Sequence, residues 1–201
     1  MQLPPLYCIV DAEVALDPLG HARALVQAGA TLVQLRAKRL TARAYFELAK
    51  AMAPLIRAAG GRFAVNDRAD IAAAVGADVL HLGQDDLAPA EARTMFKGAI
   101  GLSTHNEAQV AAALTAGVDY IGVGPVYATA TKENPDPVVG LAGLARAAAR
   151  SSVPVVAIGG ISLARVPEVL AAGAASAAVI SALGRTPGEA AGAFRTVNAK
   201  P

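Results

Sequence analysis

The sequence holds a single cysteine, Cys8, so no intrachain disulfide can form, and nothing in it has the paired-cysteine spacing of a structural zinc site. A reducing, cytoplasmic location is the expectation that follows. An excess of one charge sign is missing too: 18 Lys and Arg stand against 16 Asp and Glu, for a formal net charge of +2. With the basic residues scattered and nearly balanced, neither nucleic acid nor an anionic membrane is an expected partner, while a local basic pocket is compatible with the composition. The start of the chain, MQLPPLYCIVD, lacks a basic segment followed by a long apolar stretch, so export by a signal peptide is not expected. The longest weakly polar stretch, Val169 to Leu183, is interrupted by Gly173, Ser176 and Ser181 and is too short to span a bilayer. No Pro/Gly/Ser-rich linker divides the chain, which favours one domain over residues 1–201.

What is present is apolar and patterned. The composition, 54% hydrophobic and 17% charged over 201 residues, is that of a soluble globular protein able to bury a sizeable core. Short β-branched runs recur at residues 6–11, 31–38, 62–67, 78–83, 99–104, 119–124, 154–160 and 176–181. Between them lie Ala-rich, helix-compatible stretches such as 42–60, 106–117, 163–173 and 188–199, several closed by a glycine (Gly60, Gly117, Gly173) suited to a left-handed cap. Near-continuous apolar strands mean burial on both faces, hence a parallel sheet covered by helices. Repeating this strand–helix unit along the whole chain predicts a single-domain (β/α)8 TIM barrel at the short end of that fold's size range. A doubly wound open sheet is the competing arrangement, but it normally has a glycine-rich turn after its first strand, whereas LYCIVD runs into AEVALDP.

In a barrel, chemistry belongs at the carboxyl ends of the strands, and polar residues gather there. On the second strand Gln34, Arg36 and Lys38 alternate and so share a face; a guanidinium with an ammonium two residues on suits phosphate oxygens, and a salt-bridged interior is the other reading. The third strand ends in Asn66-Asp67 and the fourth in Gly83-Gln84-Asp85-Asp86. Two carboxylates on neighbouring strand ends suit Mg²⁺, which keeps hard oxygen ligands without a full protein cage. Asp67 and Asp86 are the expected ligands, with Asp85 as rival for the second, and either aspartate could instead cap the helix that follows. The fifth strand ends in Ser103-Thr104-His105, where a lone His is more often a rim hydrogen-bonder than a catalyst. The sixth leads into a long polar loop, Gly124 to Gly140, carrying Thr129, Thr131 and Lys132 for an anionic or heterocyclic ligand; solvated turn residues are the bland alternative. Strands seven and eight end in AIGGIS and VISALG, where Gly159 and Gly160 permit close backbone approach to a phosphate or simply a tight turn.

Taken in order and spacing, LYCIVD, VQLRAK, VNDRADIA, ADVLHLGQDDL, IGLSTH, DYIGVGPVYATATK, VVAIGGI and AVIS resemble the thiamine-phosphate synthase family over nearly the whole chain. The combination of ND, HLGQDD and the TxTK loop is specific, whereas IGGI is shared by many phosphate-binding barrels. The resemblance implies a transferase that joins hydroxymethylpyrimidine diphosphate to a thiazole phosphate, giving thiamine monophosphate and diphosphate with Mg²⁺ as cofactor. It implies that Gln34, Arg36, Lys38, Asn66, Ser103 and Lys132 contact the pyrimidine diphosphate and that Asp67 and Asp86 hold the metal. Thr129, Thr131, Gly160, Ile180 and Ser181 would contact the thiazole phosphate, and the catalytic set would be Arg36, Lys38, Asn66, Ser103 and Lys132. The three cations and Mg²⁺ outweigh the two carboxylates, which suits a leaving group of roughly three negative charges. One departure is Ala37, where the family commonly has an acidic residue, so how Arg36 is held becomes a question. Alternative functions are a thiazole tautomerase using His105 or a neighbour, a non-catalytic thiazole-phosphate-binding regulator, and another phosphate-handling barrel isomerase. The Ala-rich outer helices are compatible with a homo-oligomer as much as with solvent.

Overall fold

The structure is a computed structural model and describes residues 1–129 and 136–198. Eight strands, β1 (Leu6–Asp11), β2 (Leu32–Arg36), β3 (Arg62–Asn66), β4 (Val79–Leu82), β5 (Ala99–Thr104), β6 (Tyr120–Val123), β7 (Val155–Ala157) and β8 (Ser176–Val179), follow one another along the chain. Each pairs in parallel with the next, and β8 pairs back onto β1, so the sheet closes into a barrel in chain order. The helices between them are α1 (Pro18–Gln27), α2 (Ala42–Ala58), α3 (Ala69–Ala74), α4 (Pro89–Met95), α5 (Glu107–Thr115), α6 (Gly140–Arg150) and α7 (Val166–Ala171), with α8 (Pro187–Asn198) closing the chain. The expected TIM barrel is therefore the fold, and the eight apolar runs are its strands. No described helix is long and apolar enough to cross a membrane.

Helix starts follow local chemistry. Asp17 accepts the Gly20 amide at 2.9 Å ahead of α1, Thr41 the Ala44 amide at 3.3 Å ahead of α2, and Asn106 the Gln109 amide at 2.9 Å ahead of α5. In α2 the buried residues Tyr45, Ala49, Met52, Ala53 and Ile56 recur at helical spacing and turn one stripe to the sheet. Gly60, Gly117 and Gly173 have positive φ where the helices before them end, as the sequence pattern implies.

Alternation along the strands divides the core in two. Outward residues such as Leu6, Cys8, Val33, Leu35, Phe63, Leu80, Ile100, Ile121 and Val155 join the helix layer in the larger cluster. Inward residues Tyr7, Ile9, Leu32, Ala64, Val79, Tyr120, Val156 and Ala178 fill the barrel itself. Beyond this plug, toward the carboxyl ends of the strands, the same inward positions turn polar: Asp11, Gln34, Asn66, His81 and Ser103. Gly101 on β5 stands in register with Tyr120 on β6, and the Tyr120 ring occupies the space that a side chain at 101 would need. Gly101→Ala therefore forces the ring and its neighbours to shift. Chemical denaturation is expected to show a loss of about 1–3 kcal/mol, the usual range for overpacking a dense interior.

Candidate active site

A cavity of about 490 Å³ opens at the carboxyl ends of the strands. It is lined by eleven of the residues singled out from sequence: Gln34, Arg36, Lys38, Asn66, Asp67, Asp86, Ser103, Thr129, Gly160, Ile180 and Ser181. Thr131 and Lys132 lie outside the described residues. The cavity is of the size that accommodates small-molecule ligands.

Two acidic clusters hold the cations of β2. Arg36 Nη1 is ion-paired with Asp11 and lies 3.4 Å from Glu13 Oε2. Asp11 also accepts the Glu13 amide at 2.9 Å, and Glu13 accepts the Arg39 amide at 2.9 Å, so the β1–α1 turn and the β2 end are tied together through carboxylates. Burial raises the Glu13 carboxyl above its usual range, with Asp11 adding to the shift and Arg39 and Arg36 opposing it. Ala37 is buried and joins the outer core. Arg36 is thus held from the first strand, and the missing carboxylate at 37 does not leave it without an acidic partner.

Lys38 Nζ lies 2.5 Å from Asp67 Oδ2, and the Asp67 and Asp86 carboxyl groups are within hydrogen-bonding reach of each other. Burial, reinforced by Asp86 and offset by Lys38, lifts the Asp67 carboxyl to about 6. Its backbone is left-handed, φ 64°, a conformation rare for a side-chain-bearing residue outside constrained sites. The Asp67 amide donates to the His81 carbonyl at 2.8 Å, anchoring this turn to β4. Asp86 accepts the Gly83 amide at 2.7 Å. Neither aspartate caps a helix: α3 and α4 begin after Arg68 and Ala88 with no side-chain cap. Among the described residues there is no cluster of three or more His, Cys, Asp or Glu placed to share a metal, so a cation here would rely on two carboxylates and on substrate oxygens.

Further side-chain and backbone contacts shape the cavity. Tyr45 Oη, reaching in from α2, lies 2.9 Å from the Leu35 carbonyl and 2.8 Å from the Asn66 carbonyl and accepts the Asn66 amide at 3.0 Å. It thereby fixes the ends of β2 and β3 relative to each other. Gln84 donates to the Ser103 carbonyl at 2.6 Å. Deeper in the barrel, Gln34, Tyr7, Tyr120, His81 and Ser103 are joined by hydrogen bonds between side chains. His105 is a rim hydrogen-bonder: its Nδ1 lies 2.6 Å from the Gly124 carbonyl and its Nε2 3.5 Å from Asp136. Gly159 and Gly160 have φ of 95° and 64°, and side chains there would strike Pro125 and Tyr127. The pair lets the β7 end pack directly under the β6 loop, with Tyr127 donating to the Gly159 carbonyl at 3.0 Å.

His81 supplies a pH test. Burial depresses its pKa to about 4, so the folded protein keeps it neutral, whereas an unfolded His takes a proton below about 6.5. A depressed group contributes stability above its unfolded pKa and loses it as pH falls toward its folded pKa. Asp67, raised to about 6, acts in the opposite sense over part of that window, so the diagnostic quantity is a difference between proteins. The stability of wild type minus that of His81→Asn is expected to shrink between about pH 6.5 and 4, by at most about 1.4 kcal/mol per pH unit, as denaturation at several pH values would record.

The thiamine monophosphate synthase family model matches residues 6–183. The thiamine-phosphate synthase of Laribacter hongkongensis is 44% identical over 183 residues, covering 89% of this chain and 86% of the relative. That of Archaeoglobus fulgidus is 42% identical over 178 residues, covering 89% and 84%. Among solved structures, thiamine phosphate pyrophosphorylase from Pyrococcus furiosus superposes with a TM-score of 0.87 at 32% identity, covering 96% of this chain and 93% of that one.

Proposed function

Because the chain belongs to the thiamine monophosphate synthase family, its activity is thiamine-phosphate synthesis, a transferase reaction, and we propose that the cavity at the strand ends is where it occurs. The observation that carries this reading is the meeting, around one opening, of the Asp67–Asp86 pair with Lys38 and of Arg36 with its acidic partners. In the reaction the bond between the pyrimidinylmethyl carbon and the diphosphate oxygen breaks, and diphosphate leaves with the electron pair. The thiazole nitrogen then forms the new carbon–nitrogen bond with its own lone pair. No protein nucleophile or general base is needed.

Arg36, Lys38 and Lys132 meet the charge that grows on the leaving diphosphate, and Ser103 adds a hydroxyl to it. Gln34 and Asn66 hold the pyrimidine end, while Thr129, Thr131, Gly160, Ile180 and Ser181 receive the thiazole phosphate. Holding both substrates in one cavity supplies much of the remaining acceleration. Asp67 and Asp86 fit Mg²⁺: they are hard oxygen donors in mutual reach, and Asp86 adds to the burial that raises the Asp67 carboxyl. When bound, the ion supplies electrostatic stabilisation of the diphosphate. The rival tautomerase reading would use His105 or a neighbour as acid or base, and both ring nitrogens of His105 are engaged, with Gly124 and Asp136. A single barrel domain over residues 1–201, two small-molecule partners and a reducing cytoplasmic setting, in keeping with the buried free Cys8, complete the proposal.

Purified protein given both phosphorylated heterocycles and Mg²⁺ is expected to form thiamine phosphate and to stop on chelation; absence of product from fresh substrates defeats the reading. Lys132→Ala is expected to lower turnover far more than it weakens thiazole-phosphate binding. Equal losses in the two measurements would remove Lys132 from the leaving-group role.

A further inference from the structure

Beneath the cavity, five side chains from five strands form one continuous hydrogen-bonded chain. Gln34 Nε2 donates to Tyr7 Oη at 2.7 Å, and Tyr7 Oη lies 3.3 Å from Tyr120 Oη. Tyr120 Oη lies 2.9 Å from His81 Nδ1, and His81 Nε2 lies 2.9 Å from Ser103 Oγ. We propose that this chain has one direction, which makes Tyr120 and His81 positioning residues that aim the Ser103 proton into the cavity.

The direction follows from counting protons. An amide NH2 only donates, so Tyr7 oxygen accepts from Gln34 and its own proton is left for Tyr120. Tyr120, accepting there, has its proton free for Nδ1 of His81. A neutral imidazole carries one N–H, and with Nδ1 accepting, that hydrogen sits on Nε2. Nε2 then donates to Ser103 Oγ, and the Ser103 proton cannot return to the ring. Running the chain the other way would make Tyr7 accept from both neighbours and leave its own proton without an acceptor, because Gln34 and Tyr120 are its hydroxyl partners among the described residues. Tyr7 is 1% exposed, so that donor would be buried and unsatisfied, with its desolvation uncompensated. The neutral ring required here agrees with the strong depression of the His81 pKa by burial.

The barrel is built around this chain. The His81 and Tyr120 rings stack with centroids 5.5 Å apart and planes 23° apart, and Tyr7 meets Tyr120 edge-on. Gly101 leaves the space that the Tyr120 ring fills, and a side chain at Gly122 would press on the His81 ring. The consequence rests on the proposed function. A diphosphate oxygen can only accept, so a Ser103 hydroxyl that accepts from His81 keeps its proton for the leaving group before substrate arrives, and one that donated to His81 would have to turn.

The test combines nitrogen-15 NMR of histidine-labelled protein with kinetics. In wild type, His81, assigned by the signals that vanish in His81→Asn, is expected to show the Nε2–H tautomer. In Tyr120→Phe, which keeps the ring, that preference is expected to be lost and turnover to fall on the order of tenfold, the equivalent of one neutral hydrogen bond. Adding Tyr120→Phe to Ser103→Ala is expected to cause no further fall in turnover. An Nδ1–H tautomer in wild type, or multiplicative losses in the double variant, overturns the proposal. The spectrum needs no turnover, so missing product with the expected tautomer defeats the synthase reading alone, and the wrong tautomer in an active enzyme defeats the positioning role alone.

Discussion

A closed ring of eight parallel strands has one interior, and every second residue of every strand must enter it. That requirement orders everything else in the molecule. At the amino-terminal and middle levels the entering residues include Leu32, Ala64, Val79, Val156 and Ala178, whose apolar side chains need no polar partners. At the upper level the same columns deliver Asp11, Gln34, Asn66, His81 and Ser103, whose polar atoms have to be satisfied by one another or by a ligand. The candidate active site is the continuation of the barrel core into residues that cannot be left unpaired.

The way those residues pair explains why the charges sit where they do. Arg36 and Lys38 follow the same alternation but meet different acids, Arg36 the carboxylates of the β1 end and Lys38 the carboxylate at the β3 end. Arg36 arrives already neutralised in a partly buried place, where an unpaired ion would be expensive to keep, and the more exposed Lys38 is paired as well. An anion entering the cavity would compete with these carboxylates for the two cations. Two like charges meet at the Asp67–Asp86 pair, as they do at Asp11 and Glu13, and at Asp67 the backbone adopts a left-handed conformation. Arg36, Lys38, Asp67 and Asp86 line the cavity and leave it open.

The strands were legible in the sequence because burial on both faces leaves continuous apolar runs. LYCIVD and AIGLST match β1 and β5 residue for residue, and the other runs overshoot their strands by one to four residues into the turns. The rim residues were legible because Arg36, Lys38, Asp67 and Asp86 are conspicuous against such runs. Asp11 and Glu13 were not, because a single acid after a strand reads as the start of a turn, and its partner lies 25 residues away on another strand. Tyr7, Tyr120 and His81 were missed for a related reason. Tyrosine within a strand counts as an apolar, β-favouring residue, and its hydroxyl acquires meaning only from register; Tyr7 and Tyr120 meet across 113 residues of sequence. The glycines at 101 and 122 were the available signal, since an inward glycine in a strand marks a place that something else fills.

Depth within the barrel separates two kinds of electrostatics. The ionic groups stand at the rim, while the layer below them is polar but uncharged. Burial drives the Tyr7 hydroxyl up to about 12 and the Tyr120 hydroxyl upward as well, and it drives His81 down to about 4. All three shifts favour the neutral form, so the layer keeps the same protons while the Asp67 carboxyl, raised to about 6, changes charge. Fixed dipoles of that kind need no reorganisation when negative charge develops above them, unlike water, which must turn. A barrel that placed its ionic groups lower would face the full desolvation penalty, and one with an apolar layer in place of the neutral chain would have nothing to orient Ser103.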